Sequence, residues 1–199
     1  MNYQFNKTEI QRLNKDLKIR LQALPILKNK EAALRVEIKK HRATLKNLQV
    51  QMDEKSSVLE EIIGLYADPY LNFDKSMIEV SKIDIVSKKI AGIKIPSLQS
   101  VEFSVRPFSI FNAPAWLLDG IEIIKSFATL KIKIEQEQQA INILELARKK
   151  TTQKVNLYEK VQVPAFQEAI IKIKRFLEDL DNLDRAAQKI VKKKRAVII

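Results

Sequence analysis

The stretch IQRLNKDLKIRLQALPILKNKEAALRVEIKKHRATLKNLQVQM, residues 10–52, decides the fold. Alternating steps of three and four from Ile10 visit Leu13, Leu17, Arg20, Leu24, Leu27, Glu31, Leu34, Ile38, His41, Leu45, Leu48 and Met52. The pattern runs on through Lys55, Leu59 and Ile62. Twelve of these 16 positions are apolar, on a seam too narrow for a broad core face. Such a stripe is buried by another helix.

The second half of the chain supplies that partner. Its seam runs through Trp116, Gly120, Ile123, Phe127, Leu130, Ile134, Glu137, Ile141, Leu144, Arg148, Thr151, Val155, Tyr158, Gln162, Ala165 and Ala169. It then shifts to Ile173, Phe176, Leu180, Leu183, Ala187 and Ile190. The spacing predicts a mostly α protein: a long antiparallel two-helix coiled coil with a small antiparallel β-hairpin head in the middle of the chain. The expected parts are an N-terminal helix over 7–66, a head over 67–111 and a C-terminal helix over 112–195.

Between the helices the period changes to two. Val101, Phe103 and Val105 alternate with Glu102, Ser104 and Arg106, and Ile83/Ile85 and Ile93/Ile95 alternate in the same way. Two or three short strands are expected, with a bulge at Gly92 and a turn at Pro96-Ser97. The second helix should open at Asn112-Ala113-Pro114, with Pro114 in its first turn. Gly64 and Asp68-Pro69 mark the end of the first helix.

Two prolines interrupt the helices. Pro25 costs about 3 kcal/mol in a helix interior and predicts a kink or break. Pro164 adjoins Ala165, Ala169 and Ile173, two successive steps of four, which form a stutter. If the start of the first helix is level with residues 183–190, Pro25 falls opposite 164–166. One shared irregular zone is then expected.

The net charge of +12 is uneven. Residues 1–55 carry +7, 56–147 carry −3 and 148–199 carry +8. An antiparallel hairpin sets Lys7, Arg12 and Lys15 beside Arg185, Lys189, Lys192, Lys193, Lys194 and Arg195. That basic tip suits an acidic partner, nucleic acid or anionic lipid. The absence of Cys excludes disulfides and thiolate metal sites. The twelve-residue uncharged run Pro107–Leu118, with two prolines, is too short to span a bilayer.

No catalytic constellation emerges. The three glycines lie too far apart for a phosphate loop. The lone His41 occupies a seam position, and Glu60-Glu61 or Asp179/Asp181 read as solvated helix charges. No catalytic, cofactor-binding or metal-ligating residue is expected. A two-helix rod this long buries only one seam per helix, so it is expected to work inside a larger assembly.

Several segments resemble the D subunits of the V-type (V/A-type) rotary ATPases and ATP synthases. Val155, Asn156, Tyr158, Glu159, Val163 and Pro164 match the family's C-terminal Val-Asn-x-(Leu/Phe)-Glu-x-x-x-(Ile/Val)-Pro pattern, with Tyr158 at the Leu/Phe position. Ile170, Ile171, Ile173, Arg175 and Phe176 follow, leading to a basic end. Ile90-Ala91-Gly92-Ile93-Lys94-Ile95-Pro96 is similar to the family's head segment, and residues 13–21 and 27–31 to its first helix. Asn112–Asp119 resembles the bacterial branch. The likeness covers nearly the whole chain in order. Pro25 departs from the pattern, and Arg185 onward follows it loosely.

The resemblance implies a non-catalytic central rotor shaft. It would couple ATP hydrolysis or synthesis in a hexamer of A and B subunits to ion transport through the membrane rotor. Its partners would be the catalytic A and B subunits, the F subunit and a funnel-like membrane-rotor adaptor. Nucleotide would bind the hexamer, without nucleic acid, cofactor or direct membrane insertion here. The location would be cytoplasmic, peripheral to the inner membrane. Lys7, Arg12, Lys15, Arg185, Lys189, Lys192, Lys193, Lys194 and Arg195 are the expected hexamer contacts. Ile93, Ile95, Val101, Phe103, Val105 and Trp116 are the expected head contacts. The other classes considered are a coiled-coil stalk or scaffold of another ATPase-linked export machine and a basic nucleic-acid-binding coiled coil.

Overall fold

The computed structural model describes residues 3–62, 64, 77–108, 114 and 116–197. The element order is α1 (Lys7–Ile62), β1 (Ile78–Ile90), β2 (Ile93–Val105), α2 (Leu117–Asn156), a π-helical turn (Leu157–Gln162) and α3 (Val163–Val197). Two compact units result, Met1–Glu31 with Lys150–Ile199, and Ala32–Lys149.

Asn6 starts α1. Its side-chain oxygen accepts a hydrogen bond from the Glu9 backbone N–H at 2.6 Å, satisfying a donor that the first turn cannot. Of the kink or break expected at Pro25, the break does not occur: the helix is continuous through it. Proline removes one ladder bond there, and the flanking turns hold the helix across the gap. The expected end at residue 66 lies outside the described residues.

In the first unit, the N-terminal part of α1 packs antiparallel to α3 and the end of α2. Leu13 is buried with Phe166, Ala169, Ile170 and Ile173. Ala169 and Ile173 are seam positions, whereas Phe166 and Ile170 broaden the core face beyond it. The irregularity expected around Pro164 takes the form of the π turn just before it. Pro164 cannot donate to the Lys160 carbonyl, and its ring crowds that oxygen. The chain inserts a residue instead, and the Val163 N–H reaches back five positions to the Tyr158 carbonyl.

Arg20 donates to Gln162 at 2.7 Å and Lys28 to Glu159 at 2.7 Å. These contacts bracket Pro25, so it faces the π turn itself and not residues 164–166. The difference arises because the start of α1 is not level with residues 183–190. Instead Phe5, just before α1, packs its ring tilted against Phe176, with centroids 4.9 Å apart.

In the second unit, the later part of α1 runs antiparallel to α2. His41 Nδ1 lies 2.6 Å from Glu137, and Lys55 donates to Ser126 at 2.9 Å. The helix α2 begins at Leu117. Pro114 precedes it, its carbonyl accepting from the Leu117 N–H, and Asn112 lies outside the described residues.

Among the described residues the head is a two-stranded antiparallel hairpin with 13 residues in each strand. Its tip is a two-residue turn at Ala91-Gly92, with φ of 48° and 81°. Two consecutive positive φ values mark the tight turn whose twist suits a hairpin, so Gly92 serves the turn and no bulge. Pro96 lies within β2, paired with Ser87, and makes no turn. Irregularities fall between Val80 and Lys82 and between Asp84 and Ile85.

The hairpin tip does not stand clear of the helices. Ile95 is buried with Leu34 and Ile38 of α1 and Ala140 and Leu144 of α2, flanked by Ile90 and Ile93. Gln136 donates its amide to the Pro96 carbonyl at 2.6 Å. The arm therefore folds back onto the helical pair of this unit.

Candidate protein-interaction surfaces

Three exposed surfaces follow from this fold. One is the C-terminal part of α3. Arg185, Lys189, Lys192, Lys193 and Lys194 are exposed there, and Arg195 belongs to the same helix. Lys7, Arg12 and Lys15 on α1 are exposed too. The two groups do not sit side by side as expected. Phe176 is level with the chain entering α1, and Lys189 comes 13 residues later. That is on the order of 20 Å further along α3. Arg12 is also engaged locally: its Nε donates to Glu9 at 3.0 Å, and this bond, with the Glu9 charge, raises the guanidinium above its ordinary value.

The second surface is the hairpin. Cross-strand partners share a face, so the register sets Ile78/Val105, Val80/Phe103, Ile83/Val101 and Ile85/Leu98 together. The opposite face of that stretch carries Glu79/Ser104, Lys82/Glu102 and Asp84/Ser100. Two bulges keep the apolar set on one side, which strict alternation would not. Val101, Phe103 and Val105 are half-buried, while Val80, Ile83 and Ile85 are exposed. Ile95 is withdrawn from the expected head contacts, because helix packing leaves it 2% exposed, and Ile93 flanks it. Trp116 is half-buried in the turn before α2.

The third surface is not among those expected from the sequence. Arg35, Lys39, Arg42 and Arg148 line a shallow groove with Ile38 and Glu145, and Arg42 donates to Glu145. The signal is the i, i+4, i+7 spacing of Arg35, Lys39 and Arg42, which averaging charge over long blocks hides. Nearby, the Lys40 hydrogen bond holds the Glu37 carboxyl below its ordinary value. Burial opposes this, and the charges of Lys40, His41 and Lys88 assist.

Among the described residues, no His/Cys/Asp/Glu group could hold a metal ion, and no helix is long and apolar enough to cross a membrane. The class defined by these features is a paired-helix protein with a folded-back β arm. The profile of the ATP synthase D subunits matches residues 9–193, and the chain belongs to that family. It is 28% identical over 186 residues to the V-type ATP synthase D subunit of Borreliella burgdorferi, covering 94% of this chain and 91% of that protein. Against the same subunit of Chlamydia pneumoniae, identity is 31% over 189 residues, covering 92% and 88%.

Proposed function

We propose that this chain is the central shaft of a V-type rotary ATP synthase or ATPase. In this reading it couples ATP turnover in an A/B hexamer to ion movement through a membrane rotor, and itself catalyses nothing. The observation that carries the reading is the family match across residues 9–193, continuous over both helical segments and the hairpin between them. The exposed end of α3 enters the hexamer, where Lys and Arg side chains give a forgiving, long-range attraction suited to a turning surface. The apolar face at the base of the hairpin meets the F subunit or the funnel-like adaptor. A single shaft without threefold symmetry touches three catalytic sites differently, so its angle biases their conformations. The complex then lies against the cytoplasmic side of the inner membrane.

The test is purification of the intact complex from its source through a tag on this chain, with ATP hydrolysis as a second readout. Recovery of A and B subunits, with assembly lost when Lys189, Lys192, Lys193, Lys194 and Arg195 are replaced by Gln, is the expected result. Recovery of nucleic acid in their place, with affinity falling steeply with salt, would overturn it.

A further inference from the structure

The part of α3 beyond Phe176 carries an apolar row of Leu180, Leu183, Ala187 and Ile190 that α1 does not reach. Leu183 is 66% exposed and Ile190 57%, and Val191 beside the row is exposed as well. Such a row, spaced four, three, four and three from Phe176, is a coiled-coil seam without a mate among the described residues. The charges along it are polarised. Glu178, Asp179, Asp181 and Asp184 occupy the near half, and Arg185, Lys189, Lys192, Lys193 and Lys194 the far half.

We propose that this segment pairs antiparallel with the same segment of a second copy, so that the unassembled chain is a dimer. The register sets Leu180 against the partner's Ile190 and Leu183 against the partner's Ala187. Asp179 and Lys193 flank the seam on one side, and this register brings each to the other's counterpart twice. Each acidic half then lies along a basic half, within the screening distance at physiological salt. Asp184 meets its own counterpart near the axis, the one like-charge contact along the seam. A parallel pair would set acid against acid and base against base throughout. Pairing covers apolar surface that the chain alone leaves in water. The inference rests on α3 alone and stands or falls apart from the rotor reading.

Sedimentation of the full chain across 1–100 µM tests it, at low and high salt, with two variants. One carries Asp179→Lys and Asp181→Lys, the other Lys189→Glu and Lys193→Glu. All four positions are exposed, so the paired helices stay folded, which circular dichroism verifies. The wild-type chain is expected to dimerise with concentration, at least tenfold more weakly at high salt. Each variant alone should be monomeric, and an equimolar mixture should dimerise again. A monomer at 100 µM would overturn the proposal. So would a dimer that survives in either variant alone, or a mixture that stays monomeric.

Discussion

Ile95→Ala should release the β arm from the helices while leaving the helical pair intact. The side chain is 2% exposed, packed on Leu34, Ile38, Ala140 and Leu144. Truncation removes three buried carbons, about 2.4 kcal/mol at ~0.8 kcal/mol each. The cavity left behind raises the loss to about 3 kcal/mol. A two-stranded hairpin is marginal by itself, so this packing is what keeps the arm ordered. At ~1.4 kcal/mol per factor of ten, the docked-to-undocked ratio falls by about two orders of magnitude. Hydrogen exchange resolves the effect by element. Amides of β1 and β2 should exchange about 100-fold faster, while those around Leu13 in the other unit keep their protection. Ile85→Ala, at a 57% exposed position on the same hairpin, should change little. Unchanged exchange in the hairpin, or equal acceleration around Leu13, would refute the reasoning.

Four further outcomes are expected. Pro164→Ala restores the missing donor, so the π turn should revert to regular α-helix, with a melting temperature a few degrees higher; a crystal structure retaining the π turn would show that packing, not proline, sets it. Leu13→Ala, at a position 2% exposed, should cost ~2–5 kcal/mol by chemical denaturation, against under ~0.5 kcal/mol for Ile26→Ala at 69% exposure. Glu37→Gln should cost no more than ~0.5 kcal/mol at neutral pH, because its partner Lys40 is largely exposed and the pair is screened by water. Since the folded carboxyl is held below its unfolded value, that contribution exists above the unfolded value and fades as pH falls through the folded one; urea titrations of both forms should converge under acid. Glu137→Leu leaves His41 without its half-buried partner and should destabilise by ~1–3 kcal/mol, whereas joint replacement of His41 and Glu137 by Leu should recover most of the loss.

The seams were legible because a 3.5-residue repeat admits one explanation at this length. From Ile10 to Leu59 no first-seam position is exposed, including the polar Arg20, Glu31, His41 and Lys55. The hairpin was legible in its alternation but not in its length. Strict period two fails at each bulge, so two 13-residue strands read as shorter pieces. The docking of Ile95 left no local trace, because an aliphatic residue facing two helices has the same letter as one facing a partner. The level of the helix ends was also invisible. The apolar repeat continues past Phe176 to Ile190, and repetition alone does not say where the opposing helix stops. Position along the pair is set by specific contacts such as Phe5 on Phe176 and Leu13 among Phe166, Ala169, Ile170 and Ile173.

The polar residues interrupting each seam explain how register is held. An apolar stripe alone tolerates a slip by one heptad, since each Leu or Ile finds an equivalent neighbour. Arg20 sits opposite Gln162 in one unit, while also lying over the Phe166 ring at 4.5 Å. His41 sits opposite Glu137 in the other unit, both less than a fifth exposed. A heptad slip would leave each of these groups part-buried beside an aliphatic side chain, losing a hydrogen bond and retaining the desolvation cost. The penalty falls on wrong registers far more than the pairs add to stability in the right one. The proposed shaft role would need the same fixed register, because sliding between the helices would absorb rotation. Apolar seams give each helical pair its adhesion, and the polar layers fix which residues meet.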